Sequence, residues 1–486
     1  MTSAPFASTV GTRALFSPRY RELTVGLVST ITLVALESLA IGTVMPIVAR
    51  DLGSLALYGW VFSAFFLGSL LGIVVSGGAL DRMPLRRPFL AGLFLFAAGL
   101  IAGGLAPTMP ILVVARFLQG LGGGAIPTTA YVAIARTLPE HLRPKMFAIL
   151  ATAWVLPAVL GPAIAAVVGA AVGWRWVFLG LVPFLVVAGA AALHALRDVP
   201  GGTVAPAPAT DGAPLAPEAA AAIATARRLP TALLAAGGST VFLVAIVVPN
   251  PAIVLAGTIV GLGMLLPAFV RLTPAGTLWL ARGLPAAVLL RGTLTFGFFT
   301  ADAYIALLLQ EWRGEPPLLT ALVFTTTSLA WSAGSWIQAR GIERRGPRWY
   351  MRVGCSLVVA GILLTMPALL PGVPAAVAAV TFTVAGLGMG LAFSATALVV
   401  LKQAAPAEQG SASAALQLSD ILGTALGAGI GGAIVAAGGR AGGDALGWAL
   451  AVTFTVAASV MAFAAVSSAR LGPAVPARMV RSAAVD

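Results

Sequence analysis

The chain has 486 residues, of which 59% are hydrophobic and only 9% charged, and it carries a formal net charge of +13. An ordinary soluble domain holds roughly a quarter charged residues, and a mean hydropathy of +0.99 is too apolar for water-facing surfaces. A soluble enzyme, a disordered regulator and a nucleic-acid-binding domain are excluded, which leaves an integral membrane protein.

A membrane-spanning helix needs roughly 20 apolar residues. Runs of that kind, broken by polar residues, glycine and proline, predict helices over Leu23–Val48, Trp60–Leu80, Phe89–Leu105, Ile111–Ala135, Met146–Val172 and Val177–Leu196. The stretch from Arg197 to Arg228 is rich in Ala, Pro and Gly, lacks periodicity and reads as a flexible linker. Leu229–Pro249 and Ala252–Val270 follow. The last group is Leu290–Gln310, Leu319–Ala339, Val353–Leu370, Ala375–Leu401, Ser413–Ala437 and Leu446–Ala465. The expected fold class is therefore all-α integral membrane, with fourteen helices grouped six, two and six. Its expected parts are an N-terminal tail over 1–22, a six-helix bundle over 23–196, the linker over 197–228, two inserted helices over 229–271, a second six-helix bundle over 272–468 and a C-terminal tail over 469–486. The first 22 residues hold Arg13, Arg19 and Arg21 and no compact apolar core, so no cleavable signal peptide is expected.

Charge tests this count. With the N-terminus inside, the cytoplasmic segments hold 23 lysines and arginines and the outside connections only Arg50, Arg175, Arg313 and Arg440. That bias matches the positive-inside rule, and one missed helix would scramble it downstream. The basic residues are thus topology signals in short loops, and no nucleic-acid partner is expected. Cys355 is the only cysteine and lies in an apolar run; His141 and His194 are too few and too separated for a metal site.

Two short motifs recur. Asp81-Arg82-Met83-Pro84-Leu85-Arg86 returns 262 residues later as Glu343-Arg344-Arg345-Gly346-Pro347-Arg348. Gly120-Leu121-Gly122-Gly123-Gly124 returns 266 residues later as Gly386-Leu387-Gly388-Met389-Gly390. Two matches in one order at nearly one offset argue for two homologous six-helix halves, with the two extra helices as an insertion. Halves of this kind are a transporter architecture, with the binding site near the midplane.

Four ionisable residues, Glu37, Arg116, Asp302 and Asp420, fall well within the predicted spans, and Arg291 lies at a span's inner end. A charge at the bilayer centre costs about 2.5–3.5 kcal/mol on insertion scales, so it faces a cavity or a partner. Glu37 reads either as half of an ion pair with Arg116 or as a proton or cation site. Asp302 and Asp420 read either as proton-coupling groups or as carboxylates bonded to serine, threonine or backbone. Three acids against one base leave a net negative cavity, which favours cationic cargo. Trp60, Phe65, Trp154, Tyr304, Trp331 and Trp336 are candidate cavity walls or packing aromatics, and Gln119 lies one turn from Arg116. Gly120 and Gly122 let helices approach closely and slide, and Pro157, Gly161 and Pro162 permit a bend. Together these five are candidate hinges.

These residues resemble the major facilitator superfamily and, within it, the fourteen-helix drug:proton antiporters. The cytoplasmic loop pattern is met by Gly77, Asp81, Arg82 and Arg86, with Pro84 where glycine is usual and Leu85 where a basic residue is usual. The fourth-helix pattern Arg-x-x-Gln-Gly-x-Gly is met in full by Arg116, Gln119, Gly120 and Gly122. The antiporter pattern of helix five is met at Gly161 and Pro162, with Pro157 in place of its first glycine. Glu37 to Pro46 resembles a first-helix pattern that usually carries aspartate.

The resemblance implies proton-coupled export of a lipophilic, cationic compound by alternating access, with Glu37, Arg116, Asp302 and Asp420 in proton coupling. Trp60, Phe65, Gln119, Trp154, Tyr304 and Trp331 would line the substrate cavity. Asp81, Arg82 and Arg86 would form a cytoplasmic gate, mirrored by Glu343, Arg344 and Arg348. No cofactor beyond the proton gradient is implied, and the expected partners are a small-molecule substrate, protons and the lipid bilayer. The expected location is the cytoplasmic (inner) membrane, multi-pass, with both termini inside, and the expected functional unit is a monomer. A second reading is export of one metabolite such as a siderophore, antibiotic or lipid. An ATP-driven pump or membrane enzyme is disfavoured, because Lys145 and Lys402 follow no P-loop and there is no metal or nucleophile cluster.

Overall fold

The long apolar runs are helical, as they must be where no water can satisfy an open backbone. The computed structural model describes residues 14–80, 82–139, 142–197, 217–405, 408–441 and 444–472. Its helices are α1 (Arg21–Leu52), α2 (Tyr58–Leu80), α3 (Arg86–Gly104), α4 (Met109–Thr137), α5 (Arg143–Thr152), α6 (Val155–Ala171), α7 (Arg175–Leu179) and α8 (Val182–Ala195). They continue as α9 (Pro217–Val247), α10 (Pro251–Leu272), α11 (Leu284–Leu307), α12 (Pro317–Thr365), α13 (Val377–Gln403), α14 (Gln409–Ala441) and α15 (Ala445–Ser467). Among the described residues, twelve helical segments are long and apolar enough to cross a membrane.

Local chemistry explains where helices depart from the predicted spans. Residues 146–172 form two helices, α5 and α6, with the break at Ala153–Trp154. Pro157 has no N–H to give the carbonyl of residue 153, so the chain parts one turn before that proline. Pro162 lies inside α6 without ending it. The two spans predicted over 319–339 and 353–370 run together in α12, because the charged residues between them are good helix formers. The helix breaks only at Gly346, at φ 74° and ψ 163°, a conformation open to glycine, just before Pro347. α9 begins at Pro217, twelve residues before the expected start at Leu229, where proline at a helix start forfeits no bond. α11 begins at Leu284, six residues before the expected start at Leu290, behind Gly283 at φ 93° and with Pro285 in its first turn.

The chain divides into two compact units, Met1–Ile41 with Gly68–Leu233 and Gly42–Leu67 with Leu234–Asp486. Within each, glycines let helices meet without a side chain between them, and those contacts repeat. In the first unit a Cβ on Gly72 would strike the Leu121 carbonyl, one on Gly122 the Gly92 carbonyl and one on Gly124 the Ser69 carbonyl. In the second unit Gly334 meets Leu387, Gly388 meets Gly354 and Gly390 meets Trp331 in the same way. A Cβ on Gly99 would lie 2.6 Å from the Gln119 nitrogen, and one on Gly361 would lie 2.5 Å from the Ala385 nitrogen. Every partner on α2 or α3 is 262 residues from its counterpart on α12, and every partner on α4 is 266 from its counterpart on α13. The two motif matches therefore mark a duplicated helix-packing scheme, in which α4 and α13 each present alternate glycines to two neighbours.

Candidate functional site

In the first unit, α1 brings Glu37 and α4 brings Arg116 and Gln119 to one buried point; their exposures are 2%, 1% and 0%. Arg116 Nη1 donates to Glu37 Oε1 and, at 2.9 Å, to Gln119 Oε1. The one-turn spacing of Arg116 and Gln119 puts both on the face of α4 that meets α1. Glu37 Oε2 and Gln119 Nε2 are buried without a hydrogen-bond partner. α6 closes the wall beside them: a Cβ on Gly161 would lie 3.3 Å from Leu36 Cδ1. A buried acid–base pair is costly to desolvate, and its spare oxygen adds to that cost.

The second unit holds a different pair. Arg291 Nη2 on α11 donates to Asp420 Oδ2 on α14 at 3.2 Å, while Nη1 donates to the Phe393 carbonyl at 2.6 Å and to Thr396 Oγ1 at 3.2 Å. The guanidinium carbon lies 3.1 Å from the centre of the Phe393 ring, a cation–π contact. Thr295 Oγ1 donates to the Asp420 backbone carbonyl at 2.9 Å. Arg291 is a site residue that the sequence reading left at a helix end. Its missed signal was Gly283-Leu284-Pro285, a helix start two turns upstream.

Asp302 stands apart. It is half-buried on α11 and makes no hydrogen bond or ion pair with another described residue. Around the same helix lies a chain of rings: Phe298 on Phe382 at 5.9 Å, Phe298 on Trp331 at 5.5 Å, Phe299 on Trp331 at 6.2 Å, Trp331 on Phe393 at 5.4 Å and Phe66 on Phe299 at 6.5 Å. Of the expected wall residues, Trp331 belongs to this chain. Trp60, Phe65 and Tyr304 are enclosed instead, at 8%, 5% and 0% exposure. Tyr304 is held there by donating to the Ala428 carbonyl at 2.6 Å and by a tilted ring contact with Tyr58 at 5.5 Å. Trp154 and Trp336 are exposed.

Beyond Asp302, α11 ends in a π-helical turn, Leu308–Trp312. There Gln310 Nε2 donates to the Thr43 carbonyl at 2.8 Å and to Thr320 Oγ1 at 3.0 Å, and Glu311 meets Arg50 at 2.8 Å. None of this cluster was foreseen from sequence, because glutamine and glutamate at a helix end carry no motif. A cavity of about 470 Å³ opens beside it, lined by Arg50, Glu311 and Arg440 among others.

Of the expected gate residues, Asp81 lies outside the described residues. Arg82, Arg86, Glu343, Arg344 and Arg348 are exposed, and Arg348 Nε donates to the Leu471 carbonyl. Of the expected hinges, Gly122 is pinned between helices, and Gly120 Cα lies 3.2 Å from a Cβ built on Gly68. Pro157, Gly161 and Pro162 are buried in α6. No group of residues able to hold a metal ion is found among the described residues.

The comparisons agree with this architecture. The model of the Major Facilitator Superfamily matches residues 27–427. A probable multidrug-efflux transporter of Mycobacterium tuberculosis is 26% identical over 435 residues, which covers 86% of this chain and 88% of that protein. Multidrug resistance protein 3 of Bacillus subtilis is 33% identical over 158 residues, but these cover only 32% of this chain and 31% of that protein. The E. coli xylose transporter XylE superposes with a TM-score of 0.60 at 13% identity, over 93% of this chain and 99% of that one, a likeness of fold. With two glycine-locked repeats, apolar helices throughout and charges sealed among them, the chain belongs to the major facilitator superfamily.

Proposed function

We propose that the chain is a proton-coupled antiporter that exports lipophilic, cationic drugs or toxic compounds by alternating access. One observation carries this reading: Glu37 is sealed against Arg116 and Gln119 in an apolar interior, with one carboxylate oxygen unsatisfied. A carboxylate so held sheds its buried charge when it takes up a proton, and the proton's arrival loosens its hold on the arginine. The efflux names of the relatives support the cargo class. Arg116 positions Glu37, and Asp302 and Asp420 serve the same cycle from the second repeat.

The chain would cross the cytoplasmic membrane fourteen times, with α12 counted as two crossings on either side of Gly346 and α5–α6 as one, and with both termini inside. The six-helix bundles over 23–196 and 272–468 flank the inserted pair over 229–271, and a monomer suffices. Asp81, Arg82 and Arg86, with Glu343, Arg344 and Arg348, would close the cytoplasmic side, while Gly120, Gly122, Pro157, Gly161 and Pro162 would let α4 and α6 shift. The test is purified protein in liposomes under an imposed pH gradient. Substrate-dependent proton flux is expected, and Glu37→Gln should abolish it while leaving substrate binding in place. Undiminished pH-driven efflux by that variant would remove Glu37 from the coupling role.

A further inference from the structure

The segment where α12 breaks carries more than the duplicated scaffold asks of it. At the 262-residue offset, Val74, Gly78, Met83 and Leu90 of the first repeat become Trp336, Arg340, Arg345 and Arg352 of the second. Residues 74–90 hold Asp81, Arg82, Arg86 and Arg87, a net charge of +2, whereas residues 336–352 hold one acid, Glu343, and five arginines, a net charge of +4. Both repeats pack through corresponding glycines, so helix packing does not account for the added ring and arginines.

The chain folds back here. Gly334 and Gly354 both meet one turn of α13, at Leu387 and Gly388, and the Tyr350 hydroxyl lies against Gly341 across the break at Gly346. Arg340 and Arg348 stand six residues past that shared level, one on each arm, which is about 9 Å of helical rise. The Arg340 guanidinium carbon lies 5.1 Å from the centre of the Trp336 ring, and that of Arg345 lies 4.3 Å from the centre of the Trp349 ring. Both rings are open, at 64% and 38% exposure, and all five arginines are exposed. Among the described residues no carboxylate pairs with any of them. Tryptophan settles where headgroups meet acyl chains, and arginines clustered at the end of a span attract anionic headgroups. A guanidinium laid on a ring keeps its N–H edge for a phosphate.

We propose that this hairpin of α12 binds the headgroup phosphate of an anionic phospholipid, with Arg340, Arg345 and Arg352 as its donors and Trp336 and Trp349 against the lipid. That the lipid belongs to the inner leaflet rests on the topology proposed above; the site itself does not. The first repeat, with Val74, Gly78, Met83 and Leu90 at the matching positions, has no counterpart of it.

The experiment is equilibrium binding to purified protein in detergent, read from the quenching of tryptophan fluorescence by lipids with brominated acyl chains. The probes are phosphatidylglycerol, phosphatidylcholine with the same chains, and soluble glycerol 3-phosphate as competitor. Wild-type protein should bind phosphatidylglycerol at least about tenfold more tightly than phosphatidylcholine, and glycerol 3-phosphate should not displace it. Arg345→Gln should weaken phosphatidylglycerol binding about fivefold, and Arg340→Gln, Arg345→Gln and Arg352→Gln together roughly a hundredfold, with phosphatidylcholine held within about twofold. The quench that phosphatidylglycerol adds over phosphatidylcholine should be lost when Trp336→Phe and Trp349→Phe are combined. Arg87→Gln, which removes a charge from the corresponding segment of the first repeat, should stay within about twofold of wild type. The proposal is overturned if the wild-type protein does not prefer phosphatidylglycerol, if the triple variant binds it as wild type does, or if the added quench survives loss of both tryptophans. It is also overturned if Arg87→Gln weakens binding as much as Arg345→Gln, which would mean diffuse attraction, or if glycerol 3-phosphate displaces the lipid, which would mean a site for free phosphate. The wild-type comparison decides the matter even where the triple variant fails to fold. No pH gradient or cargo is involved, so a failure of the antiport reading leaves these affinities untouched.

Discussion

Arg116→Met and Glu37→Gln should each destabilise the first unit far more than the two together. Both side chains are at most 2% exposed, so water does little to screen whichever charge is left alone. Removing one partner of such a pair costs about 3–5 kcal/mol, whereas replacing both with uncharged groups of like volume is often neutral. Arg116→Met should be the more damaging single change, because it also strips Gln119 Oε1 of its donor, a loss of about 1–3 kcal/mol. The interaction energy from the double-mutant cycle should therefore be at least about 3 kcal/mol. Thermal unfolding of the purified protein in detergent reads this out. At about 2–4 °C per kcal/mol for a unit of this size, Glu37→Gln should lose roughly 6–20 °C, Arg116→Met more than that, and the double variant, which still leaves Gln119 Oε1 without its donor, only about 2–12 °C. Single variants that unfold with the wild type, or a double variant whose loss equals the sum of the two, would refute the reasoning.

Other expectations follow from packing and topology. Gly122→Val and Gly388→Val should both sharply reduce the yield of monodisperse protein, since any Cβ there meets a backbone carbonyl of the neighbouring helix; Gly77→Ala and Gly263→Ala, which have nothing within 4 Å, should stay within about 0.5 kcal/mol of wild type by thermal unfolding. Arg50→Ala breaks a pair in which the arginine side chain is 58% exposed, so its effect on unfolding should not exceed about 1 kcal/mol. With Cys355 replaced by alanine, a thiol introduced by Lys402→Cys should react with an impermeant reagent only from the cytoplasmic side and one introduced by Arg440→Cys only from outside. The opposite pattern at either position would break the fourteen-crossing topology.

The all-helical fold was legible in the sequence because hydropathy and the spaced glycines are one-dimensional signals. The glycine repeat showed most clearly, since Gly122 and Gly388 have a single physical use, to let two backbones touch. The charged pairs were only half legible. Glu37 and Arg116 stood out as charges in apolar runs, but the role of Arg291 depended on where α11 begins, and helix starts behind Gly283 and Pro285 are read from backbone geometry. The aromatic chain mixed foreseen and unforeseen members: Trp331 was expected, Phe66 and Phe299 were not, and Tyr304 proved enclosed. Nothing in one-dimensional spacing tells a ring that faces a cavity from one that packs a helix. Gln310 and Glu311 were invisible for a related reason, as the π-turn that aims them leaves no compositional mark.

The two repeats also supply a control for the role of Glu37. At the 266-residue offset that relates α4 to α13, Arg116 corresponds to Phe382 and Gln119 to Ala385, while Glu37 on α1 is matched across the contact by Phe298 on α11. One scheme of glycine contacts thus supports a buried ion pair in the first unit and two stacked rings, 5.9 Å apart, in the second. The scaffold itself does not require the charges, and a buried pair is no more stabilising than a well-packed apolar one. The variant that carries Glu37→Leu together with Arg116→Phe and Gln119→Ala copies the apolar solution into the first unit. It should unfold within about 1 kcal/mol of wild type, or above it, while substrate-driven proton flux is lost. If it unfolded as far below wild type as Arg116→Met alone, the ion pair would be a structural support and the coupling role of Glu37 would lose its foundation. Stable protein without flux would mean that the charges are kept for transport, at a cost the fold could have avoided.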